Sequence, residues 1–320
     1  MCYSAKVMAD FRWYEKHYGA GLDIDMFVRL LERWRGGEKI TLPKGMTDAF
    51  KLAEPRNDGE ERCKTLVLEY EAVEMNRLQE QLFAQRRRLA DAERSLEVKA
   101  TKKASEEVRI ANNKIKQLFG WITDLDRTKH LERDDRIYPS DFAPVLTMDE
   151  GGKLVIRPMR YLCRPKGVPA FFDKKYPGTY NAKRTSFTGY WKSVYAKTHA
   201  IIVATTFFEH VKRHRLEGRA LAPGEKEEDV VIRFDPSHGR PMELACLWSH
   251  WTGASEPDLN SFAIVTDEPP PEVAAAGHDR CPIPLKHENV EDWLRAPAPT
   301  DYQALLDDKE RPYYEHQLAA

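Results

Sequence analysis

The chain has 320 residues, which is long enough to bury a hydrophobic core and suggests one or two domains. Its 50 lysines and arginines nearly balance its 51 aspartates and glutamates, so a general polycation is excluded and any nucleic-acid surface must be a local patch. No stretch approaches ~18 consecutive apolar residues and no basic flank precedes an apolar run at the N-terminus, so we expect neither membrane contact nor a signal peptide.

The five cysteines are widely separated and form no Cys-x-x-Cys pair; they are Cys2, Cys63, Cys163, Cys246 and Cys281. This spacing argues against a zinc site and against a disulfide framework. It fits a reducing compartment, so we expect a cytoplasmic protein, associated with the nucleoid if it is bacterial or from a phage.

The first 50 residues predict a short strand or loop followed by one or two helices. Phe27, Leu30, Leu31 and Trp34 recur at helical spacing, and Gly36-Gly37 ends the helix. We interpret these apolar side chains as core. Residues 1–54 are expected to form one discontinuous domain with residues 131–297.

Residues 55–130 predict an inserted helical arm, because residues 60–119 contain neither proline nor glycine and are rich in charge. Two apolar seams run along it: Leu68, Met75, Leu82, Leu89 and Leu96 with Leu78 and Ala92, then Val108, Ala111, Ile115, Leu118, Ile122 and Leu125. The seams are out of phase and joined by a polar segment, which favours a hairpin that folds back near residues 99–106. A single long dimerising helix is the alternative, and in either case the arm could bind a protein partner or self-associate.

After about residue 131 aromatic and β-branched residues alternate with turn residues, as is typical of short strands. The candidate strands are residues 153–158, 200–208, 230–234, 244–248 and 262–266. We expect an α+β fold: a mostly antiparallel, barrel-like sheet with flanking helices, from which the arm projects. Residues 298–320, which follow an Ala-Pro-Ala-Pro sequence, are expected to form a loosely held tail.

Cys2 has chemistry that no internal cysteine shares. Once Met1 is removed, it carries a free α-amine and a thiol on adjacent carbons. Such an aminothiol condenses with an aldehyde to a five-membered thiazolidine, and the thiol is a good nucleophile once a base or a positive field favours the thiolate.

Four features, in order along the chain, resemble the SOS response-associated peptidase (SRAP) family, which binds abasic sites in DNA. They are Met1-Cys2, the Asn-Ala-Lys-Arg-Thr sequence from Asn181, the apolar run that ends at Glu209, and the His-Asp-Arg-Cys-Pro sequence from His278. Residues 1–50 and 136–295 carry this resemblance. The arm lies outside the family pattern, so the chain resembles a divergent member with an added module.

The chemistry of these residues agrees with the resemblance. Glu209 follows an apolar run, and a carboxyl group against an apolar wall has a raised pKa that suits a general acid or base. His278 can change its charge near neutral pH. Asn181 can donate and accept hydrogen bonds at once, which suits orienting an amine or a sugar hydroxyl. Together with Cys2, these are the predicted catalytic residues.

The predicted DNA-binding residues are Lys183, Arg184 and Arg280, as phosphate contacts, and Tyr161, as a stacking residue with Trp191, Phe207 and Trp248 as further candidates. Aromatic residues at strand positions are, however, more often part of the core.

The resemblance implies a self-processing enzyme that needs no metal or cofactor. Glu209 and His278 would remove Met1, and Cys2 would then form a thiazolidine with the abasic sugar of single-stranded DNA. The departures from the family are Tyr3-Ser4 where Gly-Arg is usual, Lys183 for arginine, His210 for tryptophan and Cys281 for methionine. One alternative is a catalytically degenerate scaffold whose arm binds a partner, and another is a peptidase acting on other proteins.

Overall fold

A computed structural model of the protein describes residues 3–254, 256–298 and 300–319. The described chain divides into two compact units. The sheet unit comprises the chain up to Leu30, Lys39–Ala49 and the chain from Glu132 onward, and the helical unit comprises Leu31–Glu38 and Phe50–Leu131. The α+β class that the sequence predicts is confirmed.

The helices are α1 (Phe11–Tyr18), α2 (Ile24–Arg35), α3 (Lys44–Lys51), α4 (Asp58–Val98), α5 (Lys102–Asp126), α6 (Phe172–Lys175), α7 (Arg213–Leu216), α8 (Pro271–Ala275), α9 (Val290–Leu294) and α10 (Tyr302–Asp307). Along the described chain, no helix is both long enough and apolar enough to cross a membrane.

The strands are β1 (Ser4–Val7), β2 (Gly21–Leu22), β3 (Arg136–Ile137), β4 (Phe142–Met148), β5 (Leu154–Tyr161), β6 (Asn181–Lys183), β7 (His199–Lys212), β8 (Asp229–Pro236), β9 (Met242–Trp251), β10 (Leu259–Asp267), β11 (Cys281–Pro282), β12 (Pro284–Leu285) and β13 (Tyr314–Leu318). Four of the five predicted strands lie within longer strands, namely β7, β8, β9 and β10, and the fifth, residues 153–158, overlaps β5 from Leu154 onward. The sequence located them because apolar and aromatic runs bounded by turn residues favour strands.

The sheet is mostly antiparallel and barrel-like, although it is not a regular barrel. Pairings run from β9 through β10, β5 and β4 to β7, and β7 pairs with β9 again. The ring is irregular because β4 and β7 meet at a single residue pair, Leu146 and Ile201. The parallel pairs are β2 with β5, β5 with β10, and β6 with β10.

The long strand β7 is central to the sheet unit. It pairs with β1 along one part of its length and with β8 at its C-terminal half. Residues 200–204 are completely buried, as expected for a strand that is covered on both faces. Phe207 stacks on Phe234 of β8, with ring centroids 4.9 Å apart. The strand therefore continues out of a hydrophobic core directly into Glu209.

The prediction of a loosely held tail is wrong. Residues 302–307 form α10, and β13 pairs along its length with β8. Leu306 and Tyr314 are both buried, so this segment contributes to the core of the sheet unit.

The helical unit contains the predicted hairpin. Helices α4 and α5 are antiparallel and are joined by residues 99–101, and Asn57 and Thr101 cap their N-termini through their side chains. Leu78 and Leu82 pack on Leu118, joined by three further apolar residues of the second seam, Ile115, Ile122 and Leu125. The alternative of one long helix is therefore wrong, because the two apolar seams bury each other within one chain.

Candidate active site

Glu209 is a carboxyl group enclosed in the protein interior. Its side chain has no exposed surface, and it lies in β7 opposite Ile232 of β8. Burial raises its pKa well above the ordinary value, and a backbone hydrogen bond from Tyr3 opposes this rise. The environment therefore favours the neutral, proton-carrying form, which is the form a general acid requires.

His278 lies against Glu209. Its Nε2 atom is 3.3 Å from Oε2 of Glu209, and the residue is 9% exposed. Its Nδ1 atom is 2.8 Å from the carbonyl oxygen of Arg280. The backbone N–H of Arg280 also lies near Nδ1, at 3.4 Å. The carbonyl contact is the shorter of the two, and it favours the tautomer in which Nδ1 carries the proton and Nε2 presents its lone pair to Glu209.

Burial lowers the pKa of His278 to about 4, so the imidazole is neutral at neutral pH. A protonated carboxyl group facing an imidazole lone pair can pass its proton in either direction. Glu209 and His278 therefore form an acid–base pair whose proton is held away from water. We name them the acid pair.

The backbone before His278 explains how it reaches this position. Gly277, which follows α8, has a φ of +91°, a left-handed conformation that side chains disfavour. A Cβ atom there would also approach Cβ of Arg215 to 3.1 Å. Glycine at this turn thus permits the chain to place His278 against β7.

A pocket of about 400 Å³ contains three of the other predicted site residues, Asn181, Lys183 and Arg280. Asn181 is almost completely buried in β6, whereas Lys183 is exposed at the end of that strand. Nε of Arg280 lies 3.7 Å from the Asp279 carboxylate, which is too long for a hydrogen bond. The pocket therefore offers an amide and two cations to a ligand.

Strand pairing joins the pocket to the acid pair. Thr266 of β10 pairs with Lys183 on one side and with Pro282 on the other, so β6 and β11 flank the same end of β10. Nδ1 of His278 in turn lies 2.8 Å from the carbonyl oxygen of Arg280. Residues 278–280 thus have one side chain against Glu209 and another in the pocket.

Aromatic residues form much of the remaining pocket lining, and apart from Trp191 they were not predicted. They are Phe172, Tyr176, Tyr190 and Trp191, of which Tyr176 and Tyr190 are exposed enough to contact a ligand. The signal in the sequence is the density of aromatic residues between positions 171 and 195. Their spacing follows neither a helix nor a strand, so it does not show which of them point to one place.

The start of the described chain lies beside the acid pair. The backbone N–H of Tyr3 donates to the carbonyl of Phe208 at 3.1 Å, and Ser4 pairs with Phe208. Cys2, the predicted nucleophile, lies outside the described residues.

Two predicted DNA contacts do not fit the structure. Tyr161 is completely buried and stacks on Phe262, so it has no surface for a base and belongs to the core. Arg184 binds the carboxylates of Asp267 and Asp307. Its guanidinium thus fixes the C-terminal segment instead of facing a phosphate. Of the further stacking candidates, Trp191 and Phe207 are also buried.

The fold and the site together define a mixed α+β protein in which a buried carboxyl–imidazole pair adjoins a pocket of aromatic and basic side chains. The family model of the SOS response associated peptidase (SRAP) matches residues 100–319, more than two thirds of the chain. The chain belongs to this family, whose description connects it with the SOS response to DNA damage. The match includes α5 and the acid pair, whereas residues 1–99 lie outside it.

Three solved structures are similar to this chain. A protein from Bordetella bronchiseptica has 21% identity and a TM-score of 0.46, with 58% of this chain and 87% of that chain covered. A protein from Bacteroides thetaiotaomicron has 14% identity and a TM-score of 0.44, covering 58% and 78%. A phage-related protein from Bordetella bronchiseptica has 17% identity and a TM-score of 0.43, covering 63% and 88%. No curated protein matches the chain.

Proposed function

We propose that this protein forms a covalent crosslink with abasic sites in single-stranded DNA through Cys2, after it has removed Met1. The observation that carries the proposal is the acid pair, with 3.3 Å between Glu209 and His278, beside the backbone of Tyr3. Tyr3, which follows Cys2 in the sequence, donates its backbone N–H to the carbonyl of Phe208, the residue before Glu209. This supports a reaction at the second residue.

The crosslinking step joins an aldehyde to the aminothiol of Cys2. The α-amine adds to C1′ of the ring-opened abasic sugar, and loss of water gives an imine. The thiol then adds to the imine carbon, and its proton moves to the nitrogen, so one water is released overall. The protonated carboxyl of Glu209 supplies the proton to the leaving hydroxyl, and a raised pKa makes this transfer possible at neutral pH.

Removal of Met1 requires attack of water on the peptide bond before Cys2. The same pair can serve, because His278 accepts the proton of the water through Nε2 while Glu209 donates to the amine that leaves. Self-processing and crosslinking would then share one acid–base pair.

The pocket would hold the DNA next to this reaction. Asn181 would orient the α-amine or a sugar hydroxyl, while Lys183 and Arg280 would contact phosphates. Lysine contacts phosphate as a point charge, so Lys183 would bind a phosphate more weakly than an arginine at this position. Tyr176 and Tyr190 offer ring faces to neighbouring bases.

Intact mass spectrometry tests the proposal, before and after incubation with single-stranded DNA that carries one abasic site. We expect the purified protein to lack the mass of Met1 and to gain one DNA adduct, and Cys2→Ala to form none. Cys281→Ala is the matched control, because Glu209 influences the Cys281 thiol electrostatically and that thiol is buried. We expect this variant to keep the adduct. A protein that retains Met1 and forms no adduct would contradict the proposal.

A second candidate function belongs to the arm. Large apolar side chains are exposed on α4 and α5: Val73, Phe83, Val98, Phe119 and Trp121. Exposed apolar side chains of this size are typical of a binding surface when they are clustered. The arm would then bind a protein partner or a second copy, and the sheet unit would be its scaffold.

Light scattering during size-exclusion chromatography tests this second candidate. If the arm self-associates, the wild-type chain should be larger than a monomer, and Phe83→Ser should shift it toward the monomer. Leu221→Ser, at an exposed apolar residue outside the arm, is the control, and we expect it to leave the size unchanged. A monomeric wild type that still forms the DNA adduct would favour the first function.

A further inference from the structure

Arg136 lies beside the N-terminal strand and outside the pocket. It belongs to β3, where it pairs with Lys6 of β1. Its Nε and Nη2 atoms donate to the hydroxyl of Ser4 at 3.1 and 3.0 Å. Two of the guanidinium N–H groups thus donate to the same neutral hydroxyl, that of Ser4.

Aromatic rings surround the rest of the Arg136 side chain. Its guanidinium carbon is 3.6 Å from the ring centroid of Phe208 and 5.0 Å from that of Tyr138. The Tyr3 ring lies 5.8 Å from Tyr138 and 4.2 Å from His210, edge-on to both. We name Tyr3, Tyr138, Phe208 and His210 the ring cluster. Tyr138 is 38% exposed, so the cluster is open to ligand on that side.

The charge of Arg136 has no described carboxylate against it. By contrast, Arg233 of β8 binds the carboxylates of Asp235 and Glu132. Burial lowers the pKa of Arg136, which means that its cation is partly withdrawn from water. A cation in this position is stabilised when an anion joins it, and cation–ring contacts alone replace only part of its hydration.

We propose that Arg136 and the ring cluster bind one phosphodiester group of single-stranded DNA and the base next to it. This inference rests on the proposed function and adds a contact beside β1 to those in the pocket. A phosphate would complete the coordination of the guanidinium, whose planar donors suit phosphate oxygens. The exposed face of Tyr138 would stack on the base, which is how proteins hold single strands without reading their sequence.

Fluorescence anisotropy with the full chain and intact single-stranded DNA, which has no abasic site, tests this binding without the covalent step. Across a series of salt concentrations we expect Arg136→Gln to bind about tenfold more weakly. We also expect the slope of the logarithm of the binding constant against the logarithm of the salt concentration to become shallower by about 0.7. This is the value for one phosphate contact on a single strand. Arg295→Gln removes the same charge from an exposed position paired with Glu291, and should behave as wild type.

Two outcomes would overturn the inference: Arg136→Gln that binds like Arg295→Gln, or weaker binding with an unchanged salt dependence. Arg136→Lys separates a folding defect from a lost charge, because it should keep the salt dependence while losing affinity. Tyr138→Ala should bind about fivefold more weakly with the salt dependence unchanged, and Tyr138→Phe should bind as wild type.

Adduct formation at saturating abasic DNA distinguishes this inference from the proposed function. Measured across DNA concentrations, we expect Arg136→Gln to require about tenfold more abasic DNA than the wild type for half-maximal adduct formation. If the wild-type chain binds DNA with the expected Arg136 dependence and yet forms no adduct, the proposed function fails and the binding site stands. If the adduct forms and Arg136→Gln binds DNA as the wild type does, the proposed function stands and the Arg136 binding site fails.

Discussion

The arm and the acid pair distribute charge in opposite ways. In the arm, charged side chains lie on the outside in short-range pairs such as Glu74 with Arg77 and Glu106 with Arg109, and the apolar seams are inside. At the acid pair, a carboxyl group and an imidazole are inside, surrounded by the core of β7. The arm follows the rules that stabilise a helix hairpin, whereas the acid pair breaks them at a cost in folding free energy.

This difference indicates where we expect function. Where the local preferences of the sequence all agree with the structure, as in the arm, stability alone accounts for the choice of residues. Buried ionisable groups that reduce stability are retained when chemistry requires them. We therefore expect substitutions in the arm to change stability with little effect on chemistry, and substitutions at the acid pair to change both the chemistry and the pH dependence of stability.

The largest effect is expected for Glu209→Gln. The amide keeps the shape of the side chain and cannot donate the carboxyl proton, so adduct formation should slow about 100- to 1,000-fold. Single-turnover adduct rates measure this, with the exposed Glu291→Gln as the control. A glutamine variant that reacts at the wild-type rate would show that Glu209 is not the proton donor.

In the arm, Leu118→Ala should destabilise the hairpin by about 3 kcal/mol, because Leu118 is 3% exposed and packs on Leu78 and Leu82. Phe83→Ala, at a side chain that is 71% exposed, should change it by less than about 0.5 kcal/mol. Hydrogen exchange of peptides from α4 and α5 measures both. Neither variant should slow adduct formation, and a slowed reaction would contradict the separation of roles.

The pH dependence of stability should reveal the acid pair. Folding lowers the pKa of His278 from 6.5 to about 4, so its contribution is complete above pH 6.5 and is lost as the pH falls towards 4. His278→Gln should therefore remove about 2–3 kcal/mol of acid sensitivity in urea unfolding between these values. A His278→Gln variant that keeps the wild-type acid sensitivity would contradict this contribution.

Glu209 acts with the opposite sign. Its pKa is raised on folding, so the stability it contributes is present at low pH and is lost as the pH rises through the folded value. Glu209→Gln should accordingly unfold less readily than wild type at alkaline pH. An identical alkaline profile for the two proteins would contradict the assigned protonation.

The smallest effect is expected for the adjacent basic residues Lys183 and Arg184. Arg184→Ala should destabilise the chain by about 1–2 kcal/mol, because it removes contacts to Asp267, Asp307 and Gln303, and should leave DNA affinity unchanged. Lys183→Ala should do the reverse, with about tenfold weaker binding and unchanged thermal unfolding. If Arg184→Ala binds DNA more weakly and is not destabilised, then Arg184 contacts DNA after all.

Much of the fold could be predicted because its signals are local. The seam that contains Leu82 and the seam that contains Leu118 each repeat at helical spacing, and their phase change gives the fold-back. The run before Glu209 is apolar enough to predict both a strand and a buried carboxyl group. The pairing of Glu209 with His278, about 70 residues later, needed the resemblance to a family, because no local pattern connects them.

The rest depends on distant partners. Strand β13 is short and mostly polar, and it is held by β8, about 80 residues earlier in the chain. Arg184 resembles a DNA contact in the sequence until Asp267 and Asp307 are seen beside it. Tyr161 is a strand residue whose direction depends on register, and register places it in the core.

The strand order β13–β8–β7–β1 has a consequence for how the chain folds as it leaves the ribosome. Residues 4–7 and 314–318 enter one sheet around the strand that carries Glu209. Because translation proceeds from the N-terminus, β1 must wait for about 200 further residues before it can pair with β7. Closing such a large loop is slow, so the hairpin, with its sequence-local contacts, should fold first and the reactive centre last.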